Sequence, residues 1–518
     1  MAFLAAPATH GGARVLRIDT HAAMVFVAGD RAYKIKRAVR FPYLDFSTLA
    51  LRRAACENEL TVNRRLAPSL YLGVEPIRRA PDGGLTIGGA EDLEIVEWVL
   101  IMRAFAQDQM LDHLATEGRL DPDLVVALAD EIRRAHDTAA PVDRGSPARG
   151  GARGLQRVVD ENHQDLIDRP DLFPAADVRR LKQTTDATLS RLADLLEARW
   201  DRGLVRRCHG DLHLRNMVLV EGRPLLFDAI EFDEAIASID VLYDLAFLLM
   251  DLDQRGLHAE ANRLFNRYLR LDDDLAALAA LPLFYAVRAT IRAKVAAAAE
   301  ARQARPEQQA AMRAEAQAYF AAALDYLTPR PARLIAIGGF SGSGKSHVAR
   351  ALAPDIGAAP GAVLLRSDVI RKQRFGVAET AALPPSAYGP ETHAEIYATM
   401  LALARAALTA GHGVVLDAVH ADAEGRVAIE TLAGTLGVPF DGLWLDAPAA
   451  LLERRTAARR GDASDATPAV VRAQIEEGTG RITWPRLDAG QPLDDVIAAA
   501  RDRIAATGNT QPRRSETA

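Results

Sequence analysis

Short apolar and β-branched runs open the chain at residues 15–18, 24–27 and 32–35. With the turn Gly29-Asp30 between the last two, they predict a small antiparallel sheet. From about 47 to 66 the spacing becomes helical, with Ser47 or Thr48 as the cap and Pro68 as the stop. Residues 93–105 read as a buried strand. Helical spacing follows, broken near 138–154 by a loop rich in Gly, Pro, Ser and Arg. Short β runs return at 217–220 and 225–227 around Glu221-Gly222, and helical patterning then holds from 239 to about 327. The stretch Thr328-Pro-Arg-Pro-Ala332 cannot continue a helix and marks a boundary. Beyond it, the runs 334–337, 362–365, 414–416 and 443–445 are apolar throughout and alternate with helical stretches. That is the pattern of a parallel sheet buried on both faces. The predicted organisation is an α+β domain at 14–328, with a small antiparallel-sheet lobe and a helical lobe. An α/β domain with a parallel sheet follows at 329–507, and 508–518 forms a flexible polar tail. No repeat of fixed period relates the halves.

Composition narrows the class. The 518 residues include 63 Lys and Arg against 69 Asp and Glu, a formal charge of −6, with 25% charged and 49% hydrophobic residues. This excludes a disordered or strongly basic chain, so nucleic acid is not an expected partner. Only Cys56 and Cys208 are present, which excludes a disulfide scaffold and a Cys-based zinc site and fits a reducing cytoplasm. No uncharged apolar run approaches a membrane span and the first residues lack a basic start, so a soluble cytoplasmic protein without membrane contact is expected. Lysine is rare: Lys34, Lys36, Lys182, Lys294, Lys345 and Lys372 are the only six. A compact ammonium retained among so many arginines suits a phosphate.

Two of these lysines fall in motifs. Gly339-Phe-Ser341-Gly342-Ser343-Gly344-Lys345-Ser346 fits G-x-x-x-x-G-K-[ST] between an apolar run and a helical run. Glycines let the backbone wrap a phosphate, Lys345 reaches its outer oxygens and Ser346 can ligate Mg²⁺. Asp417 ends the run 414–416, where a carboxylate can hold the metal's water shell or cap a helix. Asp368 follows the run 362–365, at the carboxyl edge where ligands of open α/β sheets bind, and can orient or deprotonate an acceptor hydroxyl or serve as a cap. Beside it, Arg371 and Lys372 are candidates to meet an anionic substrate. Arg454, Arg455, Arg459 and Arg460 fall along one side of a predicted helix that can close over phosphates, with Arg455 the catalytic candidate. With Ser464-Asp465-Ala466, these stretches resemble the P-loop small-molecule kinases of the zeta-toxin, gluconate-kinase and chloramphenicol-phosphotransferase type over about 334–482, although His347 stands where Thr is usual. The resemblance implies a P-loop NTPase fold and ATP as phosphoryl donor.

The other motif is His209-Gly-Asp211-Leu-His-Leu-Arg-Asn216, with the H-x-D-L-x-x-x-N spacing of a kinase catalytic loop. Asp211 would orient the acceptor hydroxyl and Asn216 would bind Mg²⁺, while a hairpin delivers Asp228 twelve residues later as a second metal ligand. Lys34 and Lys36 share one face of a strand, and one of them would contact phosphates while paired to Glu59 or Glu57 on the next helix, Lys34 with Glu59 being preferred. This half resembles the aminoglycoside-phosphotransferase-like branch of the protein-kinase fold over about 15–327. Asp244 looks like that family's structural acid, and no G-x-G-x-x-G loop covers the nucleotide. The whole chain resembles bacterial fusions of such a domain to a P-loop domain. The leading expectation is therefore a bifunctional Mg·ATP-dependent phosphotransferase acting on small hydroxylated molecules, one ATP site per domain. A nucleotide-sensing regulatory protein and a nucleic-acid end kinase are the rivals.

Overall fold

The computed structural model describes residues 1–20, 22–41, 44–146, 148–270, 275–303, 305–459 and 461–506. Arg460 and the tail expected at 508–518 lie outside the described residues. The chain forms two compact units, one of residues 1–165 and 189–251 and one of residues 166–188 and 252–518.

The first unit opens with an antiparallel sheet of β1 (Val15–Asp19), β2 (Ala23–Ala28), β3 (Arg31–Lys36), β4 (Tyr71–Arg79), β5 (Leu85–Ile87) and β6 (Ile95–Arg103), in the order β1-β2-β3-β6-β4-β5. The pattern of the sequence shows β1, β2, β3 and β6 but not β4, whose Gly73 and Pro76 are poor strand formers and whose register shifts after Tyr71. Phe26, Ile35 and Val99 pack on one face of the sheet. Ala32, Leu100 and Met102 pack on the other with Tyr71 and Val218. Helix α1 (Leu49–Leu66) begins at Thr48, whose hydroxyl accepts from Leu51 N, and it buries Glu59 completely.

Helices α2 (Pro122–Thr138), α3 (Gly151–Ile167) and α4 (Ala175–Asp201) follow. Strand β7 (Val205–Arg207) pairs antiparallel with β10 (Ser238–Asp240), and between them lies the hairpin β8 (Met217–Val220) and β9 (Arg223–Leu226). Helix α5 (Val241–Gln254) starts directly after β10.

In the second unit α6 (His258–Tyr268), α7 (Leu281–Glu300) and α8 (Pro306–Tyr326) precede a parallel sheet. The segment Leu275–Glu300 is long and apolar enough to cross a membrane by length and composition, but 72% of its most apolar stretch is buried, the packing of a core helix. The sheet comprises β11 (Leu334–Gly338), β12 (Val363–Arg366), β13 (Val414–Asp417), β14 (Phe440–Asp446) and β15 (Arg486–Asp488), in the order β12-β13-β11-β14-β15. The predicted apolar runs are its four longer strands; β15, at three residues, leaves too little pattern to see. Helices α9 (Lys345–Leu352), α10 (Ser367–Arg374), α11 (Pro390–Thr409), α12 (Ala423–Leu436), α13 (Ala449–Ala458), α14 (Pro468–Glu477) and α15 (Leu493–Ala506) connect and flank the strands. Ile335, Ile337, Val415 and Leu443 bury one face against Val348, Leu352 and Ala500. The fold classes are those the pattern implies, a kinase-like α+β unit and a P-loop α/β unit.

Candidate active sites

In the first unit, side-chain alternation turns Lys34 and Lys36 to one face of β3, where both reach Glu59 on α1. Lys34 Nζ lies 2.7 Å from Glu59 Oε1 and 2.7 Å from Asp228 Oδ1, and Lys36 Nζ lies 2.6 Å from Glu59 Oε2 and also binds Glu231. Glu57 is turned outward to an exposed ion pair with Arg53. Burial alone would depress the Lys34 ammonium, but Asp228 and then Glu59 override it and hold its pKa well above the ordinary lysine value. Burial opposes ionisation of Asp228 as well, and Lys34 reverses that and keeps its carboxyl low. Glu231, which the sequence reading missed, shows the opposite balance: burial outweighs Lys36 and raises its pKa. Its only signal was a second acid three residues beyond Asp228.

The catalytic-loop motif is fixed from below. Asp244, in the first turn of α5, accepts from His209 N at 3.1 Å, Gly210 N at 2.9 Å and the His136 ring at 3.2 Å. Gly210 has φ +86°, and a Cβ there would meet Ile230 and Ala237 at 3.0 and 3.2 Å, so only glycine fits. His209 joins its ring to Phe227 O at 2.9 Å, tying the loop to the segment that bears Asp228. Asn216 donates to Asp211 Oδ2 and Asp211 O, both at 2.9 Å, and His213 lies 3.3 Å from the same carboxylate. Asp228 takes the left-handed conformation, φ +60°, and its N–H donates to Tyr71 Oη at 3.0 Å. The hairpin thus brings Asp228 to Lys34, while Asp211 and Asn216 form a second polar pair on the loop.

In the second unit the phosphate loop joins β11 to α9. Cβ atoms at Gly339 and Gly342 would each stand 2.6 Å from a backbone oxygen, of Leu445 and Leu452. Gly344 caps α9 at φ +93°. Lys345 Nζ donates to Phe340 O at 3.0 Å, and burial lowers its pKa, with Asp417 and Asp368 opposing. Ser343 Oγ is buried without a hydrogen-bond partner among the described residues, and the N–H of Ser341 donates to Gln474 Oε1 on α14 at 3.0 Å. Ser346 Oγ donates to Asp417 Oδ2 at 2.6 Å. Arg366, at the end of β12, binds that oxygen at 3.1 Å and Asp462 at 3.0 Å. Arg366 went unrecognised because a cation at a strand end carries no signal by itself.

Asp368 opens α10; burial and then Asp417 raise its pKa, and Ser464 hydrogen-bonds it. Its neighbours are not a pair waiting for an anion. Arg371 donates to Ala387 O at 2.7 Å and stacks over Tyr388, and Lys372, 0% exposed, binds Asp465 at 2.5 Å and Ala381 O. The arginines also differ from the expected row. Helix α13 ends at Ala458, so Arg459 lies beyond it and pairs with Asp462 at 3.6 Å, in the field of Lys345. Arg455 donates to Ala489 O at 2.9 Å, and Arg454 is exposed.

Two kinase-type centres on two different folds define the class, an ATP-dependent kinase. Residues 28–281 match the phosphotransferase enzyme family, and residues 334–482 match an AAA domain. The uncharacterized protein Rv2004c of Mycobacterium tuberculosis is 30% identical over 486 residues, spanning 93% of this chain and 94% of that protein. The uncharacterized protein Mb2027c of Mycobacterium bovis matches to the same extent. The chain belongs to the family of these mycobacterial proteins. Among solved structures, a choline/ethanolamine kinase family protein from Mesorhizobium loti is similar at 18% identity and TM-score 0.36, covering 63% of this chain and 97% of that one. An APS kinase of Mycobacterium tuberculosis is similar at 22% identity and TM-score 0.25, covering 34% and 99%.

Proposed function

We propose that each half carries one Mg·ATP site and transfers the γ-phosphoryl group to a hydroxyl of a small molecule. The observation that supports this most directly is that each half sets a half-buried lysine in the field of carboxylates, Lys34 at Asp228 and Lys345 near Asp417. In the first unit Lys34, held by Glu59, would bind phosphates; Asp228 and Asn216 offer oxygen donors suited to a hard cation, and Asp211 would take the acceptor's proton. In the second, Ser341, Gly342, Ser343 and Gly344 offer loop N–H groups, the half-buried Lys345 has no carboxylate at hydrogen-bond distance among the described residues, and Ser346 with Asp417 offers a hydroxyl and a carboxylate. Such a donor set fits Mg·ATP. The metal, when bound, would neutralise charge developing on the phosphoryl oxygens. Asp368 would orient the acceptor, and Arg459, in the field of the loop lysine, would supply charge in place of Arg455, which donates to Ala489 O. Neither cysteine forms a disulfide and both are buried, which supports a cytoplasmic site of action.

Isothermal titration of the intact chain with Mg·ATP tests this reading. Two equivalents are expected, with Asp228→Ala removing one and Lys345→Ala the other. A single equivalent on the unaltered chain rejects a site per half.

A further inference from the structure

The second unit contains a buried histidine whose ring nitrogens have no role in the phosphate loop or in the hydrogen bonding of the fold among the described residues. His420 stands three residues beyond Asp417, at the carboxyl end of the central strands, and Val419 before it accepts from the N–H of Gly339, first residue of the phosphate loop, at 3.1 Å. The backbone is pinned on both sides: His420 N donates to Tyr397 Oη at 3.2 Å, and its carbonyl accepts from Arg426 Nη1 at 2.8 Å. The ring lies between Tyr397 and Trp484, centroids 5.7 and 5.6 Å away. It is 2% exposed, yet Nδ1 and Nε2 both lack a hydrogen-bond partner among the described residues. The residue also holds φ +50°, which a side chain other than glycine rarely adopts. Two unsatisfied buried nitrogens and a left-handed backbone each oppose folding, and such features persist where a ligand uses them.

The chemistry of the surroundings restricts that ligand. Burial presses the His420 pKa down to about 3, so the ring is neutral at working pH and offers one N–H donor and one acceptor. Three cations flanking this edge, Arg426, Arg371 and Lys372, already have partners. Arg426 donates to four carbonyls, those of His420, Ala421, Thr479 and Arg481. Arg371 and Lys372 are held as described above. A carboxylate or phosphate on the acceptor would therefore compete with existing bonds, whereas a hydroxyl, which donates and accepts at once, matches the ring.

We propose that His420 reads a hydroxyl of the acceptor in the P-loop half and that this acceptor is an uncharged polyhydroxylated molecule. The inference rests on the kinase reading of that half. It implies that Asp368 and His420 meet the acceptor together, Asp368 at the reacting hydroxyl and His420 at another.

The test uses the full chain carrying Asp211→Asn, so that the first unit is silent. ADP release is measured with ATP alone and with neutral polyols and aldoses (xylitol, sorbitol, glucose), each set against its carboxylate counterpart (xylonate, gluconate, glucuronate). At least one neutral compound should raise ADP release while the carboxylates do not. His420→Phe should then raise the KM of that compound tenfold or more with the KM of ATP unchanged, and His420→Gln, which keeps a donor and an acceptor, should recover part of the loss even if the Phe variant folds poorly. Stimulation by the carboxylates alone, by none of the compounds, or a KM unmoved in both variants would overturn the proposal, the last meaning that the ring serves a buried water only. If Lys345→Ala leaves ADP release unchanged, the kinase reading of this half has failed instead.

Discussion

At the residue scale, the lysine ambiguity resolves into a division of labour. Both lysines were visible from their rarity and their shared strand face, but spacing alone could not show that one carboxylate, Glu59, serves both. Lys34 faces Asp228, whose side chain is 45% exposed, whereas Lys36 is closed off by Glu231, so on the proposed reading Lys34 is the one to exchange its partner for a phosphate. Lys34→Met, on a Lys345→Ala background, should weaken Mg·ATP binding in titration calorimetry by on the order of tenfold or more. The double change Lys36→Met with Glu231→Gln removes both members of the second pair, leaves Glu59 on Lys34 and should keep affinity within about threefold. Equal losses in the two variants would show that Lys36 also touches the nucleotide. Asp368 supports a second prediction, one of pH. A base must be ionised to accept a proton, and a carboxyl held above the usual value near 4 loses its own proton only at higher pH. The acid limb of P-loop transfer should therefore lie above the ordinary carboxylate range. Asp368→Asn should abolish that limb and reduce transfer by on the order of 10² to 10⁴ while background hydrolysis persists. A limb unchanged in the variant would remove Asp368 from the acceptor step.

At the scale of elements, what was legible depended on whether an element's reason lies in its own residues. The apolar runs of β11, β12, β13 and β14 announce strands buried on both faces, and the loop motif announces the helix it opens. What closes the sheet is tertiary and left no pattern. Strand β12 is an edge, and α6 covers it with two carboxamides. Asn266 Oδ1 accepts from Leu364 N at 2.7 Å, and its Nδ2 donates to Ala362 O at 3.1 Å. Asn262 Nδ2 reaches Ala362 O at 3.0 Å and Pro360 O at 3.2 Å. These side chains do for the strand what a neighbouring strand would do. Asn266→Leu leaves the Leu364 N–H without that acceptor and Ala362 O with one donor fewer, at a cost of about 1–3 kcal/mol. Calorimetry should show the melting temperature of the second unit falling by about 3 °C or more. A shift under one degree would mean that water replaces the carboxamide at little cost.

At the scale of the whole molecule, sequence and packing divide the chain differently. Proline chemistry at 328–332 marks where a helix must stop, and the family matches end at 281 and resume at 334. Compactness instead gathers 252–327 with the parallel sheet. The reason is in the contacts: besides the two asparagines, His412, buried before β13, binds Leu278 O at 3.0 Å, and Arg267 pairs with Glu379 at 3.1 Å. A fragment starting at 329 would keep the phosphate loop, Asp368, Asp417 and His420, yet it would expose the β12 edge and remove the Leu278 carbonyl from the buried His412. An uncovered parallel edge invites intermolecular pairing. Residues 329–518 alone should therefore aggregate or melt well below residues 252–518, compared by size-exclusion chromatography and circular dichroism, although both carry the complete phosphate loop. Equal melting temperatures in two monomeric fragments would show that the helices at 252–327 ride on the P-loop sheet without stabilising it, and would return the boundary to 328.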